Sequence, residues 1–377
     1  MWKFPFYNIN EDINWQKIEA EFDWFRDMQG VQQSPIWHAE GDVFIHTKMV
    51  INSLLNLPEF QQLSEQEKQI VFTACLLHDV EKRSTTVQEI IDGLETYVSP
   101  KHAKKGEFTT RKILYQDIKT PFEIREQICK LVRHHGLPLW AFEKKDPTKE
   151  VIKSSLFLNT KLLAIVAKAD VLGRICQDQA ELLIRIELFE EICRENDCWG
   201  NPKQFNSDHG RYFYLNKHDA LPEYEPYSNF EFEVIMMCAL PGSGKDTYIK
   251  ENLDLPMLSL DDIRRENHID PTDKKKTSLV VQFAKDKVKE YLRAKKSFVF
   301  NATNISRNMR GRWLSMFHDY GARVKIIYVE VSFSQLLAQN KKRQYDVPEK
   351  IIDKLLNQLE IPSYDEAHEI EYIVNNE

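Results

Sequence analysis

Val234-Ile-Met-Met-Cys-Ala239-Leu-Pro-Gly-Ser-Gly-Lys-Asp-Thr247 runs from an apolar stretch straight into a glycine turn that closes on a lysine. An apolar run of this length before glycines reads as a buried strand, and the residues after it read as a helix start. A strand that ends this way lets consecutive backbone N–H groups close around an anionic phosphate at a helix N-terminus, while the lysine reaches the outer phosphates. Pro241, Gly242, Ser243, Gly244, Lys245, Asp246 and Thr247 are therefore the candidate nucleotide-binding residues. Two positions depart from the usual pattern. Ala239 stands where a glycine is expected, and Asp246 stands where a hydroxyl normally serves Mg²⁺.

Downstream of this loop, short apolar runs alternate with helical patterns. Strands are expected at 232–239, 256–260, 297–301 and 323–331, with helices over 274–295 and around 307–320. Alternation of this kind implies a parallel α/β sheet with its ligand site at the carboxyl ends of the strands. Upstream, from Trp15 to about Asn196, apolar residues recur at three and four spacing, so an all-α unit is expected there. The division is 1–199 helical, 200–229 connecting, and 230–377 α/β. The aromatics of the connecting segment suggest that it packs on something.

The chain has 377 residues, enough for two cores. Basic and acidic residues balance after Phe230, so the whole net charge of −7 belongs to residues 1–229. Neither half is broadly basic, which argues against nonspecific tracking along a duplex and leaves local patches to hold any nucleic acid. Basic clusters at Lys274–Lys276 and Arg310–Arg312 offer phosphate contacts. No apolar run approaches the ~18 residues of a membrane span, and the chain start lacks a signal-peptide core, so a cytoplasmic protein without a membrane partner is expected. The six cysteines form no CxxC pair, and buried free thiols are expected rather than a zinc knuckle or disulfides.

Six of the eleven histidines fall between positions 38 and 135. His78-Asp79 ends the apolar helical stretch from Ile70, where imidazole and carboxylate side by side offer mixed N and O ligands to a divalent ion. Lys82 lies one helical turn on and offers a cation to a phosphate oxygen; Asp170 and Arg174 repeat that arrangement four apart. His135 shares the inward face of Ile128, Leu131 and Val132, whereas its neighbour His134 is expected at the surface. His38, on the loop before His46, either touches substrate or caps local structure.

His46, His78-Asp79 and Asp170 resemble the H…HD…D signature of the HD phosphohydrolase superfamily. The words Trp37-His-Ala-Glu-Gly-Asp-Val-Phe-Ile-His46-Thr and Leu77-His-Asp-Val-Glu-Lys82 resemble HD domains attached to bacterial tRNA-end nucleotidyltransferases. By that resemblance His102 and His135 are the extra histidines of two-metal members. One or two transition-metal ions are implied, with Mn, Co, Ni, Fe and Zn all open. The implied chemistry is metal-dependent phosphoester hydrolysis, with Lys82 and Arg174 neutralising the phosphate oxygens.

Ser259-Leu-Asp-Asp-Ile-Arg264 resembles the acceptor segment of phage-type 5′-hydroxyl polynucleotide kinases. The resemblance makes Asp261 the general base and Arg264 a holder of the acceptor phosphate. Phe300-Asn-Ala-Thr-Asn304 resembles that family's strand-end Thr-Asn, making Thr303 and Asn304 acceptor-binding, and Asn340-Lys-Lys-Arg343 resembles its lid, with Arg343 at the transition-state charge. Gln339 replaces a second lid arginine. In this order the two halves resemble bacterial HD-domain polynucleotide kinases. The resemblance implies removal of 2′,3′-cyclic phosphate or 2′-phosphate by the first half, and phosphorylation of 5′-hydroxyl ends by the second, using Mg²⁺ with ATP, GTP or another NTP. RNA or DNA single-stranded ends are then the partners, and a separate ligase would use the remade ends. The rivals are an HD nucleotidase fused to a small-molecule kinase, and a binding module without turnover.

Overall fold

The computed structural model describes residues 1–91, 93–269 and 273–375. The chain divides into two compact units, Met1–Gln204 and Phe205–Glu377. No helix among the described residues is long and apolar enough to cross a membrane. All six cysteines are free thiols, five of them buried.

The first unit is built on the helices Val43–Leu55, Glu65–Leu77, Phe122–His134 and Thr160–Leu172. Glu65–Leu77 is its central rod. Ser64 and Glu67 form a reciprocal capping box at its start, and every residue from Gln69 to Leu77 is buried. Two glycines set how closely the neighbours pack. A Cβ on Gly173 would lie 2.6 Å from Val50 Cγ2 and 2.7 Å from the Val50 backbone, so only glycine lets the end of Thr160–Leu172 meet Val43–Leu55. At Gly106, in the helix His102–Lys112, a Cβ would lie 3.2 Å from Val132 Cγ1.

Behind these helices lies a buried ionic network. Arg111, fully buried, holds both oxygens of Glu126 (2.8–3.1 Å) and reaches Glu107 at 2.9 Å. The expectation of an all-helical unit is corrected at one place: Val87–Ile91 (β1) and Leu94–Val98 (β2) form an antiparallel hairpin.

In the second unit Glu233–Ala239 (β3), Met257–Ser259 (β4), Phe298–Asn301 (β5), Arg323–Val331 (β6) and Glu369–Asn375 (β7) make a parallel sheet of order β4-β5-β3-β6-β7. β3 lies at the centre and is buried on both faces from Val234 on, as a covered parallel strand requires. Ile235 and Met237 pack with Val299, Ile327 and Val329 on one side. Phe300 packs at a tilt against Trp313 of the helix Arg307–Asp319, centroids 4.5 Å apart, and Phe298 meets Phe317 edge-on at 5.9 Å. β7 was not anticipated; Lys325 of β6 holds it through Glu369 and Glu371, both at 2.8 Å.

The stretch read as irregular contains the helix Asp208–Asn216, which packs within the second unit through Tyr212 on His318 and His368. Arg310, expected to be free for phosphate, is instead buried and held by Glu366, at 2.7 and 2.9 Å. Lys276 is exposed, while the side chains of 274 and 275 lie outside the described residues.

Candidate functional site

In the first unit four imidazoles converge. The central helix ends at Leu77, and a turn closed by Val80 N–H to Leu77 C=O (3.1 Å) and Lys82 N–H to Asp79 C=O (2.9 Å) presents His78, Asp79 and Lys82 to one cleft. Lys82 therefore begins a separate short helix, Lys82–Thr85, rather than continuing the first. Arg174 likewise lies beyond the helix carrying Asp170, past Gly173, and still pairs with it, Nε to Oδ1 at 3.0 Å.

Asp79 sits between two half-sites. Its Oδ2 lies 3.2 Å from His78 Nε2 and 3.7 Å from His46 Nε2, with Asp170 Oδ1 3.2 Å from His46 Nε2. Its Oδ1 lies 3.3 Å from His102 Nε2, and His102 Nε2 is 3.5 Å from His135 Nε2. His78, His102 and His135 donate Nδ1–H to the carbonyls of Cys75, Ser99 and Val132 at 2.7–2.8 Å. Glu40 takes His46 Nδ1 at 2.8 Å. The three carbonyls fix Nε2 of His78, His102 and His135 as a bare lone pair aimed inward.

The facing lone pairs of His102 and His135, 3.5 Å apart, cannot hydrogen-bond to each other. Asp79 Oδ1 is buried without a hydrogen-bond partner. Both facts fit a site whose N and O donors would hold divalent cations. His46, His78 and Asp79 form one possible triad and Asp79, His102 and His135 another.

The charges support this. Burial would raise the Asp79 carboxyl, but His78 and Lys82 offset it and hold the group well below the carboxylate range. Asp170 is held down against burial by Arg174 and His46. Burial lowers His135 to about 3 and His38 to about 4, so both are neutral at neutral pH. His38 hydrogen-bonds Glu40 at 2.8 Å and lines the cleft.

Glu40 was missed; its signal was the carboxylate inside the word that carries His38 and His46. His134 is corrected from a surface residue to a partly buried one stacked near Phe157 at 5.2 Å. The cleft, about 750 Å³, is lined by Asp79, His102 and His135 and by the cations Lys82 and Arg174. Lys82 Nζ rests on Asp79 at 2.7 Å and Gln33 at 2.8 Å.

In the second unit the loop after β3 has Gly242 at φ +87° and Gly244 at φ +85°, the left-handed steps that turn successive N–H groups inward. A Cβ on Gly242 would lie 2.6 Å from the Leu336 carbonyl, so the loop also packs against the helix Phe333–Lys341. Ser243 Oγ is buried without a partner. Lys245 Nζ lies 2.9 Å from Asp246 Oδ1 and also contacts Asn301 Oδ1, and Asn301 Nδ2 donates to Asp246 Oδ1 at 2.9 Å. Burial raises the Asp246 carboxyl, and Lys245 and Asn301 outweigh this and lower it. Thr247 is exposed at the loop's end.

Asp261 begins the helix Leu260–Glu266 at the carboxyl end of β4 and accepts from Arg264 Nη1 at 2.8 Å. The strand-end assignment is corrected: Asn304 turns away at φ +48° and donates to the Met237 carbonyl at 2.9 Å, buried under the sheet. Asn301, not singled out from sequence, takes the place beside the loop, and Thr303 lines the cleft. Asn340 clamps Val347 through two hydrogen bonds (2.7 and 3.0 Å), so Arg343 sits on a loop pinned at its base and faces the same cleft, about 690 Å³.

A family model described as an HD domain matches residues 43–174, and one described as an AAA domain matches 234–362. The chain thus carries an HD domain followed by a P-loop, kinase-like domain. No curated protein matches it. Solved structures similar to part of it include an unliganded sugar kinase from a Janibacter species, at 16% identity over 38% of this chain and 85% of that one, TM-score 0.29. A gluconokinase from Sinorhizobium meliloti is 16% identical over 39% of this chain and 84% of its own, TM-score 0.28.

Proposed function

We propose that the chain heals nucleic-acid ends: the HD domain removes 2′,3′-cyclic phosphate or 2′-phosphate, and the P-loop domain phosphorylates 5′-hydroxyl ends. The observation that carries this reading is Asp261, which lines the cleft of Lys245 from the helix that follows β4, with Arg264 2.8 Å from its carboxylate on the same helix. A carboxylate next to an arginine suits an acceptor that brings both a hydroxyl and a phosphate, which is what a polymer end has and a free nucleoside lacks.

In the HD domain His46, His78, Asp79, His102, His135 and Asp170 would hold one or two divalent ions. When bound, such ions activate water at neutral pH and neutralise phosphate charge. Lys82 and Arg174 donate to the phosphate oxygens, while Glu40 keeps His46 oriented. In the kinase domain the glycine loop and Lys245 hold the outer phosphates of an NTP. Asp261 takes the proton of the attacking hydroxyl, Arg264 holds the adjoining phosphate, and Arg343 meets the charge that develops on the transferred group. Asp246 offers a carboxylate to the accompanying Mg²⁺.

The test offers γ-labelled NTP with Mg²⁺ to a 5′-hydroxyl oligonucleotide and, separately, to nucleosides. Label on the oligonucleotide is expected; label on nucleosides alone would refute the reading and leave a small-molecule kinase. For the HD domain, Asp79→Ala must lose Mn²⁺-supported hydrolysis of a cyclic phosphate end.

A further inference from the structure

Of the seven tryptophans, the two exposed ones, Trp37 and Trp140, line the same cleft as Asp79. They are 52% and 40% exposed. Trp37 adjoins His38, on the side of the His46 half-site, and Trp140 lies over Gly136, whose Cβ would meet the indole at 3.5 Å, on the side of His135.

Local contacts hold the Trp37 backbone and the Trp140 ring. The Trp37 turn is closed by its N–H to Ser34 C=O at 3.2 Å, and Ser34 Oγ is tied to Thr96 of β2 at 2.9 Å. Trp140 carries the Arg185 guanidinium 4.8 Å from its ring, and Arg185 is fixed by Glu181 at 2.8 Å, Glu143 at 3.0 Å and the Leu139 carbonyl at 3.2 Å. The cleft lining carries the cations Lys82, Arg133, Lys144 and Arg174 and the carboxylates Asp79, Glu150 and Asp178.

A hydrolase for small sugar phosphates has no use for two indoles left in water, whose exposure is unfavourable. Exposed aromatic faces in a cleft that also carries cations match the platforms on which bases of single strands stack. We infer that Trp37 and Trp140 stack the terminal and penultimate nucleobases of a single strand whose end phosphate lies at Asp79. The inference rests on the end-healing reading and adds the recognition element: the HD cleft reads bases without sequence preference and takes a strand end rather than a sugar phosphate.

The test compares kcat/KM for a dinucleotide ending in 2′-phosphate with that for ribose 2-phosphate, using full-length protein loaded with Mn²⁺. Trp37→Ala and Trp140→Ala are each expected to lower the base-to-baseless ratio by roughly 5- to 100-fold, through KM rather than kcat. Trp140→Phe is expected to retain most of the ratio, which a merely structural role of the indole would not produce. Should an alanine variant not fold, the wild-type ratio decides: a ratio near one overturns the stacking. Nucleotide hydrolysis with a ratio unmoved in both folded variants refutes stacking alone. Wild-type protein that hydrolyses ribose 2-phosphate but no nucleotide ester refutes the end-healing reading, and stacking with it.

Discussion

Gly173→Ala perturbs the metal cluster without touching a ligand. Asp170 and Gly173 lie three apart on one helix end, and His46 and Val50 lie four apart on the facing helix, so the two contacts are adjacent rungs of one interface. Gly173 has φ −82°, an ordinary helical value, so the substitution acts through space alone. The added Cβ would stand 2.6 Å from Val50 Cγ2 and 2.7 Å from Val50 Cα and N. Backbone cannot rotate aside as a side chain can. Reaching ordinary contact requires the helices to part by about 0.8–1 Å, at a cost of about 1–3 kcal/mol in a packed core.

The same displacement opens the 3.2 Å approach of His46 Nε2 to Asp170 Oδ1 toward 4 Å. Ligand distances tolerate about 0.2 Å, so the expected loss of Mn²⁺ or Zn²⁺ affinity is at least ~10-fold. Titration calorimetry on chelator-stripped protein measures it, with thermal melts for stability and nucleotide binding by the P-loop unit as internal control. A Gly173→Ala protein with wild-type metal affinity and wild-type Tm would refute the claim that this glycine sets the spacing of His46 and Asp170.

Three further outcomes are expected. Asp246→Asn keeps the shape but removes the charge between Lys245 and Asn301, so kinase activity should need roughly 10-fold more Mg²⁺ for half-saturation; an unchanged Mg²⁺ curve would exclude Asp246 from serving the ion. His368, which burial and then His318 push down to about 3, accepts Val324 N–H on Nδ1 at 3.0 Å and so must be neutral when folded. The unfolded imidazole binds its proton near pH 6.5. Stability is therefore complete above that pH and falls as pH drops toward 3, by up to about 1.4 kcal/mol per unit, which urea melts of wild type against His368→Asn would detect as a flatter profile in the variant. Glu126→Ala takes from buried Arg111 its bidentate partner and should destabilise the first unit by about 3–5 kcal/mol, read as a drop in the denaturation midpoint.

The sequence made the central strand and its glycine loop plain, because a run buried on both faces followed by forced left-handed turns has few other readings. The hairpin β1–β2 escaped because all of Val87–Ile91 is exposed, leaving no inside-to-outside alternation to detect. β7 carried a signal, Glu369 and Glu371 alternating with Ile370 and Tyr372, that an edge strand shows only weakly. The histidine cluster was legible because His46, His78-Asp79 and Asp170 resemble the HD signature, whereas the turn after His78 that frees Lys82 from the helix depends on tertiary packing. Asn304 misled for a local reason: its left-handed backbone reverses the side chain, and the strand-end residue Asn301, three positions earlier, points at the loop instead. Arg310 read as a surface cation because its partner Glu366 lies 56 residues away in sequence.

The central claim is that one chain remakes both ends of a broken strand. An RNA oligonucleotide bearing a 5′-hydroxyl and a 2′,3′-cyclic phosphate, incubated with the full chain, NTP, Mg²⁺ and Mn²⁺ and resolved by mass spectrometry, tests it most directly. The wild-type chain is expected to add a 5′-phosphate and remove the terminal phosphate, with Asp261→Asn abolishing only the first change and Asp79→Ala only the second. Both ends left unaltered, by protein that phosphorylates free nucleosides in the same buffer, would contradict it.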